Sequence, residues 1–148
     1  MTTLSQKVGE FPADTPDWQI ANALNAKDAA LPTVYCDVAT VDAREVLLAT
    51  GEWSALVIAA GSDATPALLR GACIVARDTL TLTQTIRTSN QSIRGAVDVA
   101  LNGLVLGGII TQSTKNAVSA LMIANQSWAE ANGVEVTPRT VGLARGAV

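Results

Sequence analysis

Apolar residues recur at helical spacing on both sides of a glycine pair in the middle of the chain. The first set is Ile93, Val97, Leu101, Leu104 and Val105, and the second is Ala117, Val118, Leu121 and Met122. Spacings of three and four place each set on one stripe of a helix. Gly107-Gly108 can adopt the positive φ that ends a helix, and Thr111 can cap the next one. The pattern therefore predicts a helical hairpin over 90–125 as the centre of the fold.

Start and stop signals predict shorter helices around this hairpin. A threonine or serine ahead of an apolar run can accept hydrogen bonds from the first free N–H groups, and proline suits the first helical position. Helix starts of this kind are predicted at Thr15-Pro16, Thr40, Thr65-Pro66, the capping box of Ser127 and Glu130, and Thr137-Pro138. The apolar run over 53–60 is rich in alanine, which favours a buried helix over a central strand.

Two segments have a period of two instead. Residues 32–39 alternate as a half-buried strand does, and Val134 to Val136 is the comparable run that could pair with it in a two-stranded ribbon. Residues 79–85 also alternate, but Cys73, Ala76, Leu80 and Thr83 keep helical spacing. Strand and helix are nearly balanced there, and we predict that the helix beginning after Pro66 continues to about Arg87.

These elements predict a mainly all-α fold, a compact multi-helix bundle around the central hairpin with a short two-stranded β ribbon. Residues 1–14 are expected to form a flexible or partner-docked N-terminal arm, and residues 15–148 a single helical domain. The polar N-terminus does not resemble a secretory signal, and no uncharged apolar run approaches the roughly 20 residues that span a bilayer. We therefore expect a soluble protein without a membrane partner.

Composition narrows the chemistry that the chain can perform. The chain contains no histidine, which excludes histidine-based catalytic triads and histidine zinc sites. The nearest candidate carboxylate pairs lie at predicted helix starts, where acidic residues stabilise the helix dipole. Cys36 and Cys73 lack metal-type spacing and are typical of inert buried thiols. We expect no catalytic residue, no metal site and no cofactor.

Two sets of side chains are candidates for contact with a partner. Three of the five aromatic residues are tryptophans near helix starts, and an exposed tryptophan anchors an interface well. Four arginines at gaps of seven, ten and seven could share one helical face. With a formal charge of −3, binding of nucleic acid by bulk electrostatics is not expected, although a local patch could still form. The candidate interface residues are Trp18, Trp53, Trp128, Arg70, Arg77, Arg87 and Arg94.

Several segments together resemble a known family. They are Ser127-Trp128-Ala129-Glu130, Val134 to Val136, Ala144-Arg145-Gly146, Leu24 to Asp28, the capped helix after Thr40, the stretch from Asp78 to Asn90, and the hairpin with its glycine pair. Together they resemble small helical proteins encoded among the structural genes of tailed bacteriophages. The resemblance covers most of the chain, and its motifs are helix caps and turns.

This resemblance implies a virion-associated structural protein of the tail, tail tip or fibre-attachment region, assembled in the host bacterial cytoplasm. It implies other phage structural proteins as partners, several copies in one assembly, and no catalytic residues. The alternative is an intracellular regulatory or binding module that contacts nucleic acid or a host protein through the arginine face. Salt-dependent retention on DNA would distinguish the alternative.

Overall fold

The computed structural model describes residues 2–146. Its helices are α1 (Leu4–Val8), α2 (Asp17–Asn25), α3 (Thr40–Thr50), α4 (Glu52–Gly61), α5 (Ala67–Leu82), α6 (Gln91–Leu106), α7 (Gln112–Ala120), α8 (Trp128–Asn132) and α9 (Pro138–Gly146). The strands, each of two residues, are β1 (Lys27–Asp28), β2 (Val34–Tyr35), β3 (Val38–Ala39), β4 (Thr85–Ile86), β5 (Ile123–Ala124) and β6 (Gln126–Ser127). The predicted mainly α fold is confirmed, and the described residues contain several short two-stranded sheets in place of the one predicted ribbon.

The chain divides into two compact units. The central unit contains Tyr35–Ala124, and the terminal unit contains the chain up to Val34 and from Asn125 onward. Each unit has its own cluster of buried apolar side chains. From the sequence alone, residues 15–148 are predicted to form a single domain.

In the central unit, helices α3 to α7 surround a core of aliphatic side chains. Leu56 and Cys73 are fully buried there, and Leu47, Leu104 and Ile110 lie close to them in the same cluster. Because this core contains Ala, Leu, Val and Ile in place of aromatic residues, its helices carry short side chains at many positions that face each other. These short side chains also shape the surface between α5 and α6.

The predicted hairpin is the pair α6 and α7. Asn90 caps α6 by accepting hydrogen bonds from two backbone amides, and the Thr111 hydroxyl accepts one from the amide of Thr114 at the start of α7. Gly108 has a φ of 74°, the left-handed conformation that glycine adopts without steric cost. Gly107 is helical, and a β-carbon at this position would overlap the Leu69 side chain, so α6 ends close to the beginning of α5.

The terminal unit packs α1, α2, α8 and α9 around a second core. Ile20 and Val141 are fully buried, and the Arg145 guanidinium joins α9 to α2 through Asp17 at 2.7 Å. Strands β1 and β6 pair in antiparallel fashion, with Lys27 opposite Ser127. Within the predicted N-terminal arm, α1 packs against α9, and its Val8 is buried in this core.

Two sequence predictions are wrong in detail. Val38 pairs with Ile86 in the β3–β4 sheet, and the described backbone of residues 134–136 is not a strand. Helix α5 ends at Leu82 and does not reach Arg87. The Thr40 hydroxyl donates to the Thr83 carbonyl at 2.5 Å, which together with the strand pairing draws the chain out of the helix. Long-range contacts therefore determine the backbone conformation of this segment, in which the local preferences for helix and strand are balanced.

Candidate functional site

The central unit contains an apolar cavity of about 500 Å³ between α5 and α6. Small residues on both helices leave this space, because glycine and alanine cannot fill the distance between the two backbones. On α5 they are Gly71, Ala72 and Ala76, and on α6 they are Ala96 and Ala100. The cavity has the volume of a ligand site or of a groove that accepts side chains from a protein partner.

The cavity opens to the surface along α5. Val75 lines it and is nevertheless 64% exposed, while Leu56 lines its inner wall and is fully buried. Within the described chain, none of the lining side chains is charged, and Thr79 and Thr88 are the polar ones. The Thr88 hydroxyl already donates to the Cys36 carbonyl at 2.6 Å. The groove can therefore bind an apolar group by removing it from water, and it offers little for recognition of a charged one.

Large apolar side chains stand in water beside this groove. On α5, Leu68 is 92% exposed and Leu82 is 82% exposed, and on α6, Leu106 is 90% exposed. Because Gly107 abuts Leu69, the end of α6 lies beside the beginning of α5. Thr79 near the end of α5 lines the same cavity as Ile93 near the beginning of α6, so the two helices run antiparallel. We refer to the groove and these exposed apolar side chains together as the α5–α6 face.

The three candidate tryptophans have different environments. Trp18 lies in the first turn of α2 and is 59% exposed. Trp53 is partly buried against the central core, and Trp128 is only 8% exposed within the terminal core. Trp18 is therefore the tryptophan that is accessible to a partner, whereas Trp128 is a core side chain.

The four candidate arginines do not share one helical face, which corrects the sequence interpretation. Arg70 and Arg77 lie on α5, Arg87 lies in the loop after β4, and Arg94 lies on α6. Arg70 pairs with Asp63 at 2.9 Å, Arg77 with Asp78 at 3.0 Å, and the Arg94 guanidinium lies 3.5 Å from the centroid of the Tyr35 ring. Arg70 therefore connects α5 to the loop before it and Arg94 connects α6 to β2, whereas the Arg77 pair lies within α5.

The other polar groups of the central unit serve as structural contacts. Cys36 and Cys73 are free; the Cys36 thiol donates to the Leu121 carbonyl, and burial raises the pKa of the Cys73 thiol. Asp37 accepts hydrogen bonds from the hydroxyl and amide of Ser89, which lower the pKa of its carboxyl. Over residues 2–146 no cluster of side chains suited to a metal ion is found.

The Glu52 carboxylate connects the beginnings of α4 and α7. It accepts hydrogen bonds from the Thr111 amide at 2.8 Å and from the hydroxyl of Thr114 at 2.5 Å. Burial raises the pKa of Glu52, but the hydrogen bonds from Thr114, Thr50 and Thr111 outweigh this effect, and the pKa lies below its usual value of 4.5. The charged form is therefore favoured in the folded protein.

The stability of the fold should depend on pH through Glu52. Because its pKa is lowered on folding, the stabilisation is fully present above about pH 4.5 and is lost as the pH falls through the folded-state value. Glu52→Gln should therefore lower the free energy of unfolding at pH 7, and the difference from wild type should shrink below pH 4.5. Urea titrations followed by circular dichroism at pH 7 and pH 3.5 measure both values.

Glu45→Gln is the matched control, since Glu45 is exposed on α3. It should change the free energy of unfolding by no more than about 0.5 kcal/mol at either pH. A difference between Glu52→Gln and wild type that is the same at both pH values would contradict the assignment.

The sequence analysis did not identify the α5–α6 face. From the sequence, only the helical spacing of Cys73, Ala76 and Leu80 and a shared face of the arginines were recognised in this helix. Leu68, Val75 and Leu82 are seven residues apart and therefore form a third stripe along α5. Spacing alone does not reveal whether such a stripe is covered by the rest of the chain.

Fold and site together define a mainly helical protein whose central unit presents an open apolar groove between two antiparallel helices. None of the helices within residues 2–146 combines the length and apolar character that a membrane span requires. Comparison with protein-family models, with curated proteins and with solved structures gave no match.

Proposed function

We propose that this protein is a non-enzymatic structural subunit of a tailed-phage virion, an assembly or adaptor protein of the tail, tail tip or fibre-attachment region. Its partners are other phage structural proteins, it is present in several copies, and it is assembled in the host cytoplasm and retained in the virion. It needs no cofactor. The observation that supports this proposal most directly is the α5–α6 face.

An apolar surface of this kind is unfavourable for a protein that remains alone in water. Contiguous exposed apolar patches are uncommon on soluble monomers and mark sites of interaction, whereas isolated exposed apolar residues are ordinary. Here Leu68, Val75 and Leu82 form one stripe on α5, and the groove beside them is lined by uncharged residues. A subunit that is covered by neighbours throughout its working life can maintain such a surface.

The resemblance of the helix caps and turns to tailed-phage structural proteins supports the particular kind of assembly. The resemblance rests mainly on local sequence signals, whereas the α5–α6 face is a feature of the tertiary structure. The two observations therefore support the proposal in different ways. The exposed Trp18 on α2 offers a second point of contact in the terminal unit. A subunit with contact sites on both units could join two neighbours.

Purified particles provide the test. Phage carrying this gene is purified on a density gradient, and quantitative mass spectrometry should detect the protein at a fixed ratio to the major structural proteins. Val75→Lys introduced into the phage gene should reduce its incorporation at least about tenfold, since a lysine on the groove opposes burial. Thr81→Lys, exposed on the same helix but outside the groove, should leave incorporation unchanged.

Absence of the wild-type protein from the particles would refute the proposal. The regulatory alternative makes a different prediction, since it requires salt-dependent retention on DNA that is lost when Arg70, Arg77, Arg87 and Arg94 are changed to alanine. Retention of that kind, combined with absence from particles, would favour the alternative.

A further inference from the structure

We infer that the occupant of the α5–α6 face is a second copy of this chain, bound through an antiparallel pairing of the two α5 helices about a two-fold axis at Val75. The inference rests on the proposed function, because it names the partner of a surface that the proposal leaves general. The self-association can nevertheless be tested on the isolated protein.

The residues on the outer side of α5 have the spacing of a helix–helix contact. Their separations along the chain are four, three, four and three, which is the seam of a helix that packs lengthwise against another helix. The residues of this seam are Leu68, Ala72, Val75, Thr79 and Leu82. The three large members are between 64% and 92% exposed, so the described part of the chain does not cover the seam.

Symmetry favours a second copy over an unrelated protein. A two-fold contact must be complementary to itself, because each residue pair occurs twice. Leu68 and Leu82 each lie seven residues from Val75, which is about 10.5 Å along the helix in either direction. In an antiparallel pair centred on Val75, Leu68 therefore meets the partner subunit's Leu82. Large and small residues therefore alternate along the seam in almost the same order in both directions from Val75.

The small members of the seam provide space for the large ones. Ala72 and Thr79 lie on either side of Val75 at distances of three and four residues. Short side chains at these positions let the two helices approach closely, and the neighbouring groove can receive side chains from the partner. Knobs and holes are therefore present on the same surface, as a self-complementary contact requires.

Charge is compatible with this pairing. Asp78 flanks the seam, and its carboxylate is already paired with Arg77 at 3.0 Å. At about 100° per residue, Arg70 and Arg77 lie on the side of α5 opposite Leu68. An antiparallel pair centred on Val75 places Asp78 near the partner subunit's Ala72. Like charges therefore do not meet between the two α5 helices.

The area requires that α6 contribute as well. A helix of 16 residues is about 24 Å long and about 10 Å wide, so α5 alone offers roughly 240 Å² of flat contact, well below the roughly 800 Å² per partner of a standard interface. Helix α6 has the same length, runs alongside, and exposes Val99 and Leu106. We therefore expect a contact of four helices, two from each subunit.

Analytical ultracentrifugation of the full chain tests the association. At roughly 50 μM, wild type should sediment as a dimer or an even multiple of it. Val75→Lys should weaken the association at least about a hundredfold, whereas Thr81→Lys should associate as wild type does. Circular dichroism of all three proteins shows that each is folded before the masses are compared.

Cysteine cross-linking tests the orientation, in a Cys36→Ser background in which the buried Cys73 is retained. Val75→Cys should form a disulfide-linked dimer with itself. Leu68→Cys and Leu82→Cys should each remain unlinked alone but form a heterodimer when the two proteins are mixed before oxidation. A parallel pair would instead link Leu68→Cys to itself, and would overturn the proposed geometry.

A wild-type protein that stays monomeric up to roughly 500 μM would overturn the inference. If such a monomer were still incorporated into particles, and Val75→Lys abolished incorporation, the proposed function would stand and the α5–α6 face would bind a different protein. Native mass spectrometry that finds a monomer with a bound apolar small molecule would likewise exclude a second copy as occupant. A cross-linked antiparallel dimer that is absent from particles would support the inference and refute the proposed function.

Discussion

Replacement of Trp128 by alanine should lower the free energy of unfolding by about 3–5 kcal/mol. Trp128 is 8% exposed and packs in the terminal core with Ile20 and Val141, which are fully buried. The change removes a large apolar side chain and leaves a void, whose lining loses its packing contacts. Guanidinium titration followed by far-ultraviolet circular dichroism measures the loss.

Trp18→Ala is the control, because it deletes the same side chain from a site that is 59% exposed. It should change the free energy of unfolding by about 0.5 kcal/mol or less. Equal losses for the two variants would show that Trp128 is not the core residue described here. Under the proposed function Trp18→Ala should instead act on binding, and a pull-down of virion proteins should then give a reduced yield from a variant of unchanged stability.

These two tryptophans show how far sequence reasoning extends. Trp18 precedes Ile20 by two positions, about 200° around a helix, so the buried stripe of α2 already implied that Trp18 points away from the core. Trp128 begins a helix of five residues, which is too short to show a period. Its burial follows from contacts with segments more than a hundred residues away, such as α2, and the local sequence does not contain them.

The end of α5 shows the same limit. Threonines alternate from Thr79 onward, and both helix and strand remained compatible with that pattern. The observed end at Leu82 depends on the Thr40 hydroxyl and on the pairing of Val38 with Ile86. By contrast, the hairpin of α6 and α7 was predictable, because its stripe, its glycine pair and its Thr111 cap all lie within one continuous stretch.

The groove was the least predictable feature of the candidate site. Small residues at helical spacing usually indicate close packing, and here they line an open space between α5 and α6. Whether a stripe of alanine and glycine is filled depends on the distance between two helices, which is fixed by residues elsewhere in the core. The seven-residue spacing of Leu68, Val75 and Leu82 was present in the sequence, but their exposure became evident only in the fold.

Leu56→Ala should lower the free energy of unfolding by about 2–5 kcal/mol. Leu56 is fully buried in α4 and forms part of the inner wall of the cavity. Its truncation adds volume to a space that is already empty, and the surrounding helices relax only in part. Ile58→Ala is the matched control, since Ile58 lies two positions along the same helix and is 70% exposed. Its effect should stay within about 0.5 kcal/mol in urea titrations.

Leu56→Ala also separates folding from association, because Leu56 lies deep in the cavity whereas Val75 lies at its opening. At temperatures where both variants remain folded, Leu56→Ala should retain most of the wild-type sedimentation behaviour and Val75→Lys should not. A loss below about 1 kcal/mol for Leu56→Ala would mean that the helices collapse into the space, and the groove would then be too adaptable to define a single partner. A large loss with association preserved would identify the inner wall as the rigid support on which the α5–α6 face is built.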